Sequence, residues 1–453
     1  MRYLPHTQAD VARMLEAIGV GSIEELFSSI PSRLRLTREL DLPPALDEAT
    51  LLGHLQELGS KNRTHLAFLG AGIHHHPAPA SVDMLLSRAE FYTAYTPYQP
   101  EISQGTLQAI FEFQTIVAEL FGLDVANASM YDGASACAEA VLMARRLTGR
   151  GRVVLARGLH PEYREVCAAY LRGAELGEES RAEAPWLPSG SCDLAALDRL
   201  LADDIACVVV QSPNFFGVLE DLDAIAKLAH SRGALAVAVV CEPAAMALAR
   251  APGEAGFDLA VGEGLGFCGH TSLGGPGVGL LAARAEHVRA LPGRLVGETV
   301  DADGQRGYVL TLATREQHIR RERATSNICT NQGLMALAFT IHMCMLGRHG
   351  LTRLARINLA RAEYARRLLG RLPGYALRFD GPMFNELTLR VPGGSASRCV
   401  EALGERGVLP GVPLSRFPSL AVDLGDTLLI GITEAHRKAD IDRLASALAE
   451  YRG

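Results

Sequence analysis

The residues of this chain that could do chemistry gather where short apolar runs stop. Ala234-Leu-Ala-Val-Ala-Val-Val240 ends at Cys241-Glu242-Pro243, which sets a carboxylate just past the carboxyl end of a buried strand. Open α/β sheets place their ligands on that side. Further on comes Val261-Gly-Glu-Gly-Leu-Gly-Phe-Cys-Gly-His-Thr-Ser-Leu-Gly-Gly-Pro-Gly-Val-Gly279, where glycines allow close backbone approach and positive φ angles. Strand, acid and glycine loop in this order suggest the floor of a pyridoxal-phosphate (PLP) site. Such a site holds its cofactor as a Schiff base to a lysine amine. The chain has only Lys61, Lys227 and Lys438, and none lies in the glycine loop.

A second chemical stretch is Phe91-Tyr-Thr-Ala-Tyr-Thr-Pro-Tyr-Gln-Pro-Glu-Ile-Ser-Gln-Gly105. Its prolines exclude a helix interior. Its tyrosines offer flat apolar bodies and hydroxyls, either as a wall for a small polar substrate or as the packing of a surface loop. Asp132-Gly-Ala-Ser135 opens a helix rich in small residues. A helix start can hold phosphate, but the Asp132 carboxylate opposes that and is expected to be an N-cap. His160 precedes a helix-opening proline and could stack on a ring or act as a cap. Asn214 and Phe215 stand at a strand's carboxyl end, bordering a cleft or packing a loop. His74-His75-His76 has the look of a metal site, yet adjacent histidines diverge and no carboxylate cluster accompanies them in sequence, so no metal is expected. Cys241, Cys268 and Cys329 have no evident base partner and read as packing thiols.

The elements that must position these groups alternate. Arg152–Ala156 is a predicted strand, Glu162–Leu171 a helix, Ile205–Val210 a strand and Asp221–Arg232 a helix leading into the run at 234. This is an α/β, doubly wound pattern. Before it, Thr7 and Asp10 form a capping-box start to a helix with Val11, Met14, Leu15 and Ile18 on one face. A second short helix is expected over Ile23–Ser29. Residues 1–60 hold too little apolar material for a core and are expected to be a helical arm lying on the rest. Residues 61–325 form the large α/β domain. Residues 326–453, helical over 331–372 and then strand, helix, strand, helix, form a smaller C-terminal α+β domain.

Composition narrows the classes. At 453 residues, 48% hydrophobic and 21% charged, the chain is globular. A net charge of -7 leaves no electrostatic footprint for nucleic acid. No apolar run reaches bilayer-spanning length, the amino terminus has no apolar signal core, and nine scattered cysteines without a Cys-x-x-Cys pair read as reduced thiols. A cytoplasmic protein is expected.

Several motifs carry a family resemblance: Phe68-Leu-Gly-Ala-Gly72, the Tyr92–Gly105 stretch, Asn127-Ala-Ser-Met-Tyr-Asp-Gly-Ala-Ser135, His160-Pro-Glu-Tyr-Arg-Glu-Val166 and Pro213-Asn-Phe-Phe-Gly217. Gly262-Glu-Gly264, Gly274-Gly-Pro276, Leu291-Pro-Gly-Arg-Leu-Val-Gly-Glu-Thr-Val-Asp301 and Arg315–Asn331 extend it over essentially the whole chain. In these the chain resembles the alpha-type subunit, subunit 1, of the glycine-decarboxylating P-protein of the glycine cleavage system. The resemblance implies the type I fold of PLP-dependent transferases. It also implies a homologous subunit 2 that carries the lysine and PLP, with this chain binding no cofactor alone. Together the two would decarboxylate glycine and pass its aminomethyl group to the lipoyl arm of H-protein. Matching the glycine loop to the lysine-bearing partners puts Leu265 in the lysine's place, and Glu242 stands where the family's pattern has aspartate.

The resemblance assigns a substrate-cleft wall to Tyr92, Thr93, Tyr95, Thr96, Tyr98, Gln99 and Asn327. It leaves a degenerate cofactor cleft at Asp132, Gly133, Ser135, His160, Asn214 and Glu242. Two other readings stand beside it: a free-standing PLP transaminase or lyase, and a non-catalytic subunit that stabilises its partner.

Overall fold

The computed structural model describes residues 5–174 and 177–453. It divides into two compact units, one up to Arg63 and one from Thr64 to Gly453. In the first, Gln8–Ile18 is a helix capped by Thr7, whose Oγ1 accepts from the Asp10 N–H while Asp10 accepts from the Thr7 N–H. Gly19 ends it at φ 85°, a left-handed stop that glycine adopts without strain. The short helix expected at Ile23–Ser29 is a single 3-10 turn, Glu24–Phe27. A second helix, Glu48–Ser60, starts on the Asp47 N-cap. Neither α-helix contains a buried residue.

The second unit is built on a seven-stranded mixed sheet. Its order is Val125–Ala126, Gly279–Ala283, Leu259–Glu263, Leu235–Val240, Ile205–Gln211, Arg152–Ala156 and Arg181–Ala184. The strand at 235 is central, with parallel neighbours on both sides. Its run of small and β-branched residues is what a strand covered on both faces requires. One apolar cluster covers each face: one around Phe113, Val208, Phe267 and Phe339, the other around Met143, Val209, Val239 and Leu281. Gly279–Ala283 runs antiparallel to Leu259–Glu263, so the predicted glycine loop keeps residues 264–278 as loop and its two ends, Val261–Glu263 and Gly279, belong to flanking strands. Glycine content hid them, because a strand with little side-chain volume leaves no alternating pattern.

A hairpin, Leu295–Val300 with Arg306–Thr311, follows. Then comes the helix Gly333–Leu369, which breaks at Gly347 (φ 53°, ψ -176°). One 18-residue window of it has mean hydropathy 1.2, enough by length and composition to cross a bilayer. A third of that window is buried inside the protein, and Ala336, Phe339 and Met343 pack in the sheet's core. The remaining sheet is antiparallel, ordered Ala376–Leu377, Glu386–Arg390, Thr427–Gly431 and Val412–Pro413. Leu66–Ala67 pairs in parallel with Val408–Leu409, and the Gly431 N–H donates to the Phe68 carbonyl. The stretch from Leu66 is thereby laid against the C-terminal strands before it turns toward Glu242. The seven-stranded and four-stranded sheets fall on either side of residue 326, and we propose that residue as the division between the large and small parts of this unit.

Candidate functional site

The Leu235–Val240 strand delivers Glu242 into a dry cluster. Glu242 is 3% exposed. Its Oε1 accepts from the Ala244 N–H at 3.0 Å and its Oε2 from Asn385 Nδ2 at 2.7 Å. His76 Nε2 lies 3.1 Å from Oε2, and His76 Nδ1 faces both Glu434 oxygens at 3.0 Å. With a carboxylate on each ring nitrogen, His76 is an imidazolium donating from both. His74 stands 3.4 Å from Glu242 and 3.3 Å from Glu386. Burial opposes charge on His76, but Glu242 and Glu434 outweigh it and hold its pKa up at about 10. Burial likewise opposes charge on Glu242, and the two histidines bring it down to about 2. His74 and His76 therefore serve to hold buried carboxylates. His74 and His76 point inward together, spaced by the exposed His75, as an extended chain dictates. No group of three or more His, Cys, Asp or Glu is placed to hold a metal among the described residues.

The helix Gly133–Thr148 presents its N-terminus to the same end of the sheet. Asp132 caps it, Oδ1 accepting from the Ser135 N–H at 2.7 Å, with Ser135 returning the bond. The Gly133 N–H donates to Glu263 Oε2 at 2.9 Å, and Glu263 Oε1 accepts from Leu265 and Val278 N–H groups at 2.9 and 3.0 Å. Burial raises the Glu263 pKa against the pull of those three N–H groups. Space is as short as charge tolerance: a Cβ on Gly133 would fall 2.2 Å from the Tyr163 hydroxyl, and one on Gly277 3.0 Å from Glu263. A helix terminus that would suit a phosphate already holds two carboxylates of its own chain.

Leu265, 1% exposed, packs in the sheet's core as the first residue of a 3-10 turn. Lys61, Lys227 and Lys438 are all exposed. His160 is a cap: Nδ1 accepts from the Glu162 N–H, so Nε2 carries the proton and donates to the Ala71 carbonyl at 2.9 Å. Burial lowers its pKa and keeps it neutral in this role. Asn214 is wholly buried, donating to the Gly190 carbonyl and Glu220 while accepting from the Phe216 and Val218 N–H groups. It fixes a loop and has no capacity left for a ligand. Cys241 and Cys268 are buried, with thiol pKa values raised by burial, and Cys329 is exposed. The residues present do not fit PLP: no lysine reaches the cleft, its acid is neutralised by histidine, and its anion place is filled by Glu263.

The tyrosine stretch behaves differently. Tyr92 is 70% and Tyr95 84% exposed, and Tyr98, Thr93 and Gln99 also face outward. Pro97 is buried and pins the segment from behind. A cavity of about 280 Å³ lies beside it, lined by Tyr92, Tyr95, Thr96, Ile110, Thr330 and Leu334 among others. Asn331 lines that cavity; Asn327 instead lines a separate recess with Glu139, Arg146 and Arg321. Sequence reasoning assigned Glu263 and Arg294 no role. The one visible signal for Glu263 was an acid between two glycines.

A family model described as glycine cleavage system P-protein matches residues 1–448. The chain is 53% identical to the probable glycine dehydrogenase (decarboxylating) subunit 1 of Sorangium cellulosum, over 100% of both chains. It is 51% identical to the protein of the same name from Anaeromyxobacter dehalogenans, over 99% of this chain and 100% of that one. A crystal structure of glycine decarboxylase (P-protein) of the glycine cleavage system, in inhibitor-bound form, superposes with a TM-score of 0.87 at 43% identity, covering 99% of this chain and 100% of that one. Sphingosine-1-phosphate lyase from Burkholderia pseudomallei matches at TM-score 0.66 and 15% identity over 93% of this chain and 94% of that one, a likeness of fold alone. The architecture is that of type I PLP-dependent enzymes. Full-length likeness to proteins named as a subunit does not favour a free-standing transaminase or lyase.

Proposed function

We propose, from the premise that this chain belongs to the glycine cleavage system P-protein family, that it is the lysine-lacking subunit of a glycine-decarboxylating complex. A homologous subunit supplies the lysine and PLP, and the lipoyl arm of H-protein takes up the aminomethyl group. The partner's cofactor provides the electron sink for loss of CO2; this chain provides a wall of the cleft. The supporting observation is the contrast between its two candidate sites. Its own cofactor place is filled by Glu263 and by the Glu242–His76 pair, while Tyr92 and Tyr95 stand exposed on an anchored segment.

Such a wall suits glycine. A substrate with no side chain is selected only by a narrow, dry pocket with polar groups close to its carboxylate, and excluding water eases loss of that carboxylate as charge disperses. Prolines that fix the segment's path lower the entropy lost on binding. Nine free cysteines agree with a reducing compartment, and we place the complex in the cytoplasm. In the complex, Tyr95→Phe or Tyr98→Phe should lower glycine decarboxylation about ten-fold or more, a barrier change of ~1.4 kcal/mol. PLP absorbance should be unchanged, since the lysine is the partner's. Near-full glycine–CO2 exchange by both variants in intact complex would make the chain a stabilising scaffold instead.

A further inference from the structure

The wall is held from behind by one buried cation. Arg294, 3% exposed, belongs to the Leu291-Pro-Gly-Arg294 loop that enters the hairpin. That loop is clamped on both sides. Asn127 Nδ2 donates to the Pro292 carbonyl at 3.0 Å, and Arg315 donates to the carbonyls of Leu291 and Gly293. From this fixed base the Arg294 guanidinium bridges two other segments. Nη1 donates to Thr96 Oγ1 at 3.2 Å and to Thr330 Oγ1 at 3.1 Å, and Nη2 donates to the Tyr98 hydroxyl at 2.9 Å. Its carbon lies 5.2 Å from the Tyr98 ring centre.

A plain structural ion pair would turn the guanidinium fork onto its carboxylate. Arg294 does otherwise. Glu316 lies 3.6 Å from Nε, which makes no hydrogen bond, while the fork is spent on three neutral hydroxyls. Two of those hydroxyls, on Thr96 and Thr330, belong to residues lining the cavity beside Tyr92 and Tyr95. An oxygen that accepts from a cation keeps its own proton for another acceptor and becomes a better donor. A planar guanidinium also fixes the relative placement of its three acceptors, which a lysine ammonium on a flexible stem does not.

We infer that Arg294 is a positioning residue for substrate: it sets the Thr96, Tyr98 and Thr330 hydroxyls as an array of donors for the carboxylate of a small amino acid. This rests on the reading of the tyrosine segment as part of the substrate cleft. The test is steady-state glycine–CO2 exchange by the assembled complex carrying Arg294→Lys, Arg294→Gln, Tyr98→Phe or the Arg294→Lys/Tyr98→Phe pair, with Tyr95→Phe measured alongside. Both Arg294 variants should raise the KM for glycine about ten-fold, the loss expected when hydrogen bonds to a charged group go, with kcat changed much less and PLP absorbance intact. The double variant should fall within about two-fold of the worse single variant, since both changes break one contact set. If Arg294→Gln does not assemble, Arg294→Lys decides, because it keeps a charge opposite Glu316. A wild-type KM in Arg294→Lys beside an impaired Tyr95→Phe overturns the role of Arg294 and leaves the cleft reading standing. Fully multiplicative losses in the double variant overturn it too. Wild-type behaviour of every variant, Tyr95→Phe included, removes the cleft reading itself and this inference with it.

Discussion

At the scale of single residues, the buried Glu242–His76 pair is held by mutual charge. His76 sits at about 10 against an ordinary 6.5 because Glu242 and Glu434 overcome the burial that would lower it. Its contribution to stability is complete below pH 6.5 and disappears as pH climbs toward 10. Glu242 sits at about 2 against 4.5, the histidines overcoming the burial that would raise it, so its contribution is complete above pH 4.5 and lost on the way down to 2. Both contributions are whole only between pH 4.5 and 6.5. Thermal unfolding followed against pH should show the midpoint falling above that window. His76→Gln should destabilise within the window by about 3–5 kcal/mol, the penalty for stranding a buried charge, and flatten the alkaline decline. An alkaline slope as steep in the variant as in the parent would contradict this. Glu242 was legible as a strand-end acid, whereas its partners were not: His74 and His76 lie far before it in sequence, Asn385 and the Glu434 that faces His76 lie far after it, and only the fold brings them together. The same holds for Arg294, whose acceptors Thr96, Tyr98 and Thr330 belong to two other segments.

At the scale of elements, strong periodicity was readable and weak periodicity was not. The strands Leu235–Val240 and Arg152–Ala156 stand where their apolar patterns put them. The strands Leu259–Glu263 and Gly279–Ala283 did not declare themselves, because glycine and alanine carry little pattern. The helical stretch expected over 331–372 is Gly333–Leu369, and Gly347 breaks it at a φ/ψ pair open only to glycine. A Cβ there would meet nothing within 4 Å, so the cost of Gly347→Ala is backbone strain alone, about 1–3 kcal/mol. Chemical denaturation should register that loss with an unchanged m-value. A variant as stable as the parent would mean the break is not needed.

At the scale of the whole molecule, the fold class was legible because alternating strands and helices of this size have few alternative architectures. The proposed division of labour rests on a single position, the glycine loop that has Leu265 and no lysine. The chain has the architecture of type I PLP-dependent enzymes, three exposed lysines and Leu265 in its core, and we propose on that ground that it keeps the frame and leaves the covalent chemistry to a partner. The measurement that tests this most directly is borohydride reduction with PLP, followed by peptide mapping and glycine–CO2 exchange. It should be run on this chain alone, on its homologous subunit alone and on the two together. The account predicts no phosphopyridoxyl-lysine on this chain in any sample, an adduct on one lysine of the partner, and exchange only in the mixture. A stoichiometric adduct on Lys61, Lys227 or Lys438, or full exchange by either subunit alone, would contradict it.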